Sequence, residues 1–192
     1  YTGITMLAFF FILGTAATSW GKGEKNQKGL AEKNEGRRTA GQVIANAGVA
    51  AIVGFLVFVK PESAVLFRVM MAASLSSATA DTLSSELGNL FGKRFYNILT
   101  FKKDVRGLDG VVSIEGTLSG VVGSICIAVI YATGFGFGVD FYLIIIAGTV
   151  GNLFDSLLGA TLERKNYLNN DAVNFLNTAV AAMVISLVNT FR

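Results

Sequence analysis

Six runs of apolar residues, each about twenty long, constrain this chain more than any other feature, because a helix of that length crosses a hydrocarbon layer roughly 30 Å thick. They cover approximately Tyr1–Thr18, Thr39–Val59, Ser63–Ser84, Val111–Thr133, Phe141–Leu162 and Asp171–Phe191. Hydrocarbon offers no partner to backbone N–H and C=O groups, so each span must satisfy them internally, as a helix does. The expected fold class is therefore all-α: a polytopic membrane protein of about six transmembrane helices, forming one domain over residues 1–192. With 52% apolar and only 15% charged residues the composition disagrees with a soluble domain. The chain opens at Tyr1 inside an apolar run and without methionine, so we expect further residues upstream rather than a signal peptide.

The breaks between spans are two short turns, Lys60-Pro61-Glu62 and Gly134 to Asp140, and three charged loops at about 19–38, 85–110 and 163–170. The first loop holds Lys22, Lys25, Lys28, Lys33, Arg37 and Arg38, the second Lys93, Arg94, Lys102, Lys103 and Arg106, the third Arg164 and Lys165. Elsewhere there are only Lys60, Arg68 and Arg192. The positive-inside rule assigns the three loops to the cytoplasm, and a prokaryotic inner membrane is the expected location. Most of these cations orient the chain or hold anionic lipid; Arg37, Arg38 and Lys102 stand out by adjoining span ends that carry other polar residues. The chain has no histidine, and its single cysteine, Cys126, lies in the apolar run Val121 to Tyr131. Disulfide, thiolate-metal and imidazole chemistry are not expected, nor is nucleic acid as a partner.

Against this background the segment from Ala73 to Gly88 changes character, turning small and hydroxyl-rich before it carries Asp81 and Glu86. Ser74, Ser77, Ala78, Asp81 and Ser85 share one helix face, which must look into protein or water. An ionised Asp costs roughly 2.5–3.5 kcal/mol at the centre of a membrane helix, so its presence points to function. Span five repeats the theme: Gly151, Asp155, Gly159 and Glu163 recur every fourth residue, flanked by Asn152 and Ser156. That stripe is either a helix-packing surface with a structurally paired Asp155 or part of a site. Gly107 to Gly120 is a glycine-punctuated turn opening span four, with Asp109 as the expected helix cap. Gly110, Ser113 and Glu115 would sit near free N–H groups of the kind that hold phosphate. Span six opens with Asn170 and Asp171 and places Asn174, Asn177 and Thr178 along one side, where hydrogen bonds between helices are an equal explanation. A faint echo between Asp81-Thr82-Leu83 and Asp155-Ser156-Leu157 suggests an internal repeat.

With the spans oriented, these carboxylates all fall at the cytoplasmic ends of helices. Oxygen donors without histidine or cysteine suit a hard cation, Mg²⁺ above all. Asp81, Asp155, Glu86 and Asp171 are the candidate ligands. Helix N-termini and basic loops around them suit a polyanion such as a nucleoside triphosphate, and Mg²⁺ with fixed positive charge is most of what phosphoryl transfer needs. Asp81, Glu86, Glu115 and Asp155 are the candidate catalytic residues. Arg37, Arg38, Lys102, Gly110, Ser113, Asn152 and Asn174 are the candidates for binding nucleotide phosphates. No P-loop pattern is present, so a nucleotide site would be of another design. The second substrate would be an amphiphile lying among membrane lipids with its head group at the interface. A cation or organic-anion transporter and a non-catalytic scaffold are the competing classes.

The ordered motifs Ala80-Asp81-Thr82-Leu83-Ser84-Ser85-Glu86-Leu87-Gly88, Gly107 to Gly120, Asn152 to Thr161 and Asn170-Asp171-Ala172-Val173-Asn174 resemble those of one integral membrane family. Upstream, Glu35-Gly36-Arg37-Arg38 with Gln42 and Asn46 resembles its first loop, so the likeness spans nearly the whole chain. The family holds the plant phytyl-phosphate kinase of tocopherol synthesis, an animal transmembrane homologue and many bacterial and archaeal members. It is more distantly similar to the CTP-dependent phytol and dolichol kinases. The resemblance implies phosphoryl transfer from a nucleoside triphosphate, CTP above others, to an isoprenoid monophosphate, with a prenyl alcohol as the alternative acceptor. A homo-oligomer is compatible with it. One departure is Leu108, which stands where relatives carry Thr in the glycine turn and so removes a hydroxyl contact to phosphate.

Overall fold

The structure, a computed structural model, describes residues 1–27, 29–30 and 39–191. Among the described residues six helices are long and apolar enough to cross a membrane, and each expected span has its helix. They are α1 (Thr2–Ser19), α3 (Ala40–Val59), α4 (Ala64–Phe91), α5 (Ile114–Phe135), α6 (Val139–Leu158) and α7 (Asn170–Asn189), with a short α2 (Lys22–Gln27) after α1. The protein is an all-α polytopic membrane protein.

Helix α4 is the hub, packing against α1, α3, α5, α6 and α7. The hydroxyl-rich stretch makes this possible: Ala72 to Ala80 is buried throughout, and its small side chains meet glycines on two neighbours. A Cβ on Gly148 of α6 would collide with Ser76 Oγ, one on Gly151 with Ser77 Oγ, and one on Gly120 of α5 would come within 2.9 Å of the Ala80 carbonyl. Helices in lipid gain little from hiding apolar surface, so close approach and interhelical hydrogen bonds hold them together. Ser76 Oγ donates to the Ile144 carbonyl of α6 (3.2 Å) and Ser77 Oγ to Asn177 Oδ1 of α7 (3.0 Å).

The two halves of the bundle differ. Met6, Leu75, Ile127, Tyr131, Ile144 and Ile185 form a dry apolar cluster in the half toward the 60–63 and 136–138 turns. The opposite half, toward the basic loops, is polar and encloses the cleft described below.

Two local departures from expectation lie in the α4–α5 connection. Helix α4 runs on past Ser84 to Phe91 because its last turns are held by tertiary partners: Glu86 by Lys25, and Gly88 by Gly116 of α5, whose Cα would lie 3.0 Å from a Cβ there. Helix α5 starts at Ile114 rather than Val111, since Val111–Val112 (β2) pairs antiparallel with Tyr96–Asn97 (β1), Tyr96 opposite Val112. The helix cap is accordingly Ser113, whose Oγ accepts from the Gly116 N–H at 3.1 Å, and not Asp109. The connection is clamped to the end of α6 by Arg164, which donates to the Asp109 carbonyl (2.6 Å) and to Asp104 Oδ2 (2.8 Å).

Candidate active site

The ends of α3, α4, α5, α6 and α7, with the glycine turn, enclose a polar cleft of about 190 Å³. Its walls include Gln42, Asn46, Asp81, Ser85, Glu86, Asp109, Gly110, Ser113, Asn152, Asp155, Glu163, Asn170 and Asn174. Three helices begin here, each closed by its own cap. Thr39 and Gln42 form a capping box on α3, Ser113 caps α5, and Asn169 Oδ1 accepts from the Ala172 N–H on α7. The positive ends of three helix dipoles therefore surround the cleft.

Asp81 and Asp155, an Asp on each of two helices that cross at small residues, place their carboxyl groups in hydrogen-bonding contact with each other. Asn177 fixes the second of them: its Nδ2 donates to Asp155 Oδ2 at 2.6 Å while its Oδ1 accepts from Ser77. Two carboxylates in contact repel unless a cation or a proton lies between them. The described walls also carry Glu86, Asp109 and Glu163, and neither Lys nor Arg.

Two amide oxygens add to this. Asn46 and Asn174 are 3% and 7% exposed, and the Oδ1 of each is buried without a hydrogen-bond partner. Their Nδ2 groups are committed elsewhere, to the Gln42 carbonyl and to Asn170 Oδ1 (2.9 Å each), which turns the oxygens outward from those bonds. A buried acceptor left unpaired costs about 1–3 kcal/mol, so both oxygens call for a donor or a cation. Among the described residues no three acidic side chains close on one point. The donor set is two carboxylates with amide oxygens in the same cleft, which fits Mg²⁺, an ion usually held by one or two carboxylates plus water and substrate phosphate.

The residues expected from sequence divide accordingly. Asp81, Glu86, Asp155, Gly110, Ser113, Asn152 and Asn174 line the cleft. Glu86 is engaged there, its Oε2 2.5 Å from the buried Nζ of Lys25, which also donates to the Ala17 and Thr18 carbonyls ending α1. Glu115 lies outside the walls and accepts from the Lys93 N–H at 3.4 Å. One residue from Gly116, whose face meets α4, it is turned about 100° away. Asp171 rests its Oδ2 against Gly41 in the first turn of α3, and Lys102 is exposed in the α4–α5 connection; neither is a wall residue. Arg37 and Arg38 lie outside the described residues.

Glu163 reaches the cleft through a π turn, Gly159–Glu163, at the end of α6. Its i→i+5 turn holds more residues and so rotates the chain less per residue, which keeps Glu163 on the side of Asp155. Asn46, Asn177 and Lys25 were not among the expected site residues. The two asparagines had a signal, being amides on otherwise apolar helices. Lys25 had none, since its partners come from two other elements.

The family described as "Integral membrane protein DUF92" matches residues 1–182. Among relatives, "Protein VTE6, chloroplastic" of Arabidopsis thaliana is 34% identical over 98% of the chain and 59% of its own length. "Uncharacterized membrane protein sll0875" of Synechocystis sp. is 36% identical over 94% of the chain and 71% of its own length. "Uncharacterized membrane protein MJ0933" of Methanocaldococcus jannaschii is 34% identical over 94% and 74%. The chain thus spans less than two thirds of the Arabidopsis protein. No solved structure matches it. A match over almost the entire length, with close relatives from plant, cyanobacterium and archaeon, makes this chain a member of the DUF92 family of integral membrane proteins.

Proposed function

We propose that the protein is a membrane kinase that transfers the terminal phosphoryl group of a nucleoside triphosphate, CTP in our reading, to an isoprenoid monophosphate at the cytoplasmic interface. The observation that carries this is the contact between Asp81 and Asp155 in a cleft that also holds the unpartnered oxygens of Asn46 and Asn174. Membership of the DUF92 family supports it, because the motifs resemble those of the family that holds the plant phytyl-phosphate kinase.

Asp81 and Asp155 would hold Mg²⁺, with the amide oxygens of Asn46 and Asn174 as further donors. When bound, Mg²⁺ bridges phosphate oxygens and neutralises charge on the group in transfer. The chain's own part is positioning. Asn177 holds Asp155 Oδ2 and so fixes the carboxyl group beside Asp81, and Lys25 holds Glu86 so that its charge does not add to that of the two aspartates. The starts of α3, α5 and α7 give the phosphates a positive setting that no side-chain cation in the described walls supplies. A phosphate monoester is already an anionic nucleophile, so no side chain has to remove a proton from it.

The test is incubation of purified protein with γ-labelled CTP, Mg²⁺ and prenyl monophosphates and alcohols. Transfer to a monophosphate is expected, and its loss in folded Asp81→Asn and Asp155→Asn variants. No transfer to any acceptor, alongside ion flux into liposomes that Asp81→Asn abolishes, would replace the kinase with a transporter.

A further inference from the structure

Beside the polar cleft lies a second depression of about 440 Å³, lined by Tyr96, Phe101, Val112, Ile114, Thr117 and Leu118, with Ser113 at its edge. It is almost wholly apolar, whereas the cleft is lined by acids and amides. The two share Val112 and Ser113 as a common wall. On its far side the groove runs into the outward stripe of α5, where Ile114, Leu118 and Val122 are 69%, 59% and 55% exposed and face lipid. The groove therefore lies between the exposed outer stripe of α5 and the residues it shares with the cleft.

The turn that follows β1, residues 97–101, supplies the groove's other side in an uncommon way. Phe101 has φ of +53°, a left-handed conformation that aromatic residues rarely adopt. Its N–H donates to the Asn97 carbonyl at 2.9 Å, while Asn97 Oδ1 accepts from Leu99 and Thr100. These bonds hold the turn so that Phe101 stands 77% exposed over the start of α5. An observed outlier of this kind is a reason to look for function.

We propose that the groove seats the first isoprene units of the lipid substrate, which enters sideways from the bilayer with its phosphate in the cleft. The proposal rests on the kinase reading for the place of the head group. It commits to a prenyl monophosphate because the apolar groove adjoins, across Val112 and Ser113, a helix-ringed polar cleft suited to a Mg²⁺-held phosphate, which a neutral acyl tail with a bulky head group would not use. The stretch of α5 involved, Ile114 to Leu118, is about one turn, roughly 5.4 Å, so it orders only the start of the tail. The remainder lies in lipid, which is as apolar as the protein surface, so discrimination by chain length is weak.

The experiment is photolabelling of the detergent-purified full chain with farnesyl monophosphate carrying a diazirine on its first isoprene, without nucleotide, followed by peptide mapping. Adducts on Tyr96, Phe101, Thr117 or Leu118 are expected, displaced by unlabelled farnesyl monophosphate. Adducts elsewhere, no adduct at all, or equal and undisplaced labelling by a diazirine phosphatidylglycerol would each overturn the proposal, the last by showing bulk lipid only. Filling the groove with Thr117→Phe should raise KM for farnesyl monophosphate about tenfold, with KM for CTP unchanged. Should that variant not fold, Leu118→Ala is expected to reduce the labelling. Labelling in the groove without phosphoryl transfer would leave the lipid site standing and remove the kinase; transfer with labelling elsewhere would do the reverse.

Discussion

Replacing Lys25 by Met tests how the end of α1 is joined to the wall of the cleft. The Lys25 side chain is 3% exposed and that of Glu86 12%. The ammonium group also donates to the Ala17 and Thr18 carbonyls, at 3.0 and 3.3 Å. Removing one partner of a buried ion pair costs about 3–5 kcal/mol, because the other charge stays buried and unpaired. Glu86 borders the cleft and can take up water, so the lower end, about 3 kcal/mol, is expected here. At 2–4 °C per kcal/mol for a chain of this size, the melting temperature in detergent should fall by about 6–12 °C. Glu86→Met should cost a similar amount by stranding the ammonium group. The double variant should cost less than the sum, with a coupling of about 2 kcal/mol. The assay is thermal unfolding of the four proteins in one detergent, followed by circular dichroism. A Lys25→Met protein within 3 °C of the parent by that measure, or single effects that simply add, would refute the buried pairing.

Gly151→Leu would drive a side chain into Ser77 Oγ and part α6 from α4; overpacking of this kind costs about 1–3 kcal/mol, and loss of Mg²⁺-dependent nucleotide binding should exceed what the melting temperature alone explains. Asn177→Leu should leave the bundle assembled but weaken Mg²⁺ binding about 10–100-fold, the usual effect of losing a residue that orients a metal ligand, as titration calorimetry would show. The Asp104 carboxyl is held below its ordinary value of 3.8, first by the hydrogen bond from Arg164 and then by the Val105 N–H. Its lowered value means the clamp is complete above the ordinary carboxylate range and fades only as pH falls through the lower folded value. Hydrogen exchange over Asn97 to Asp104, corrected for intrinsic rate, should therefore be flat from about pH 7 to pH 5 and accelerate in Arg164→Gln.

The spans were legible because hydropathy in lipid has one structural answer, and so was one small, hydroxyl-rich face of α4 turned away from lipid; that the stretch from Ala72 to Ala80 is buried on every side, with α4 as the hub, was not, because it depends on five neighbouring helices packing around it. That Asp81 and Asp155 matter could be read from their cost in hydrocarbon. That they touch could not, since it depends on where α6 crosses α4, and the crossing is set by Gly148 and Gly151 against Ser76 and Ser77. The two-residue strands left no periodic trace and displaced the expected cap from Asp109 to Ser113. Lys25 and Glu86 are 61 positions apart and meet only after three elements pack. Glu115 carries the right chemistry on the wrong side of its helix, a matter of one residue's rotation.

The central claim is that one divalent cation binds between α4 and α6. Electron paramagnetic resonance of Mn²⁺ titrated into the purified protein with CTP measures this directly. The account predicts one tightly held ion per chain whose signal is lost in both Asp81→Asn and Asp155→Asn while the proteins stay folded. Stoichiometric binding that survives either substitution would contradict it.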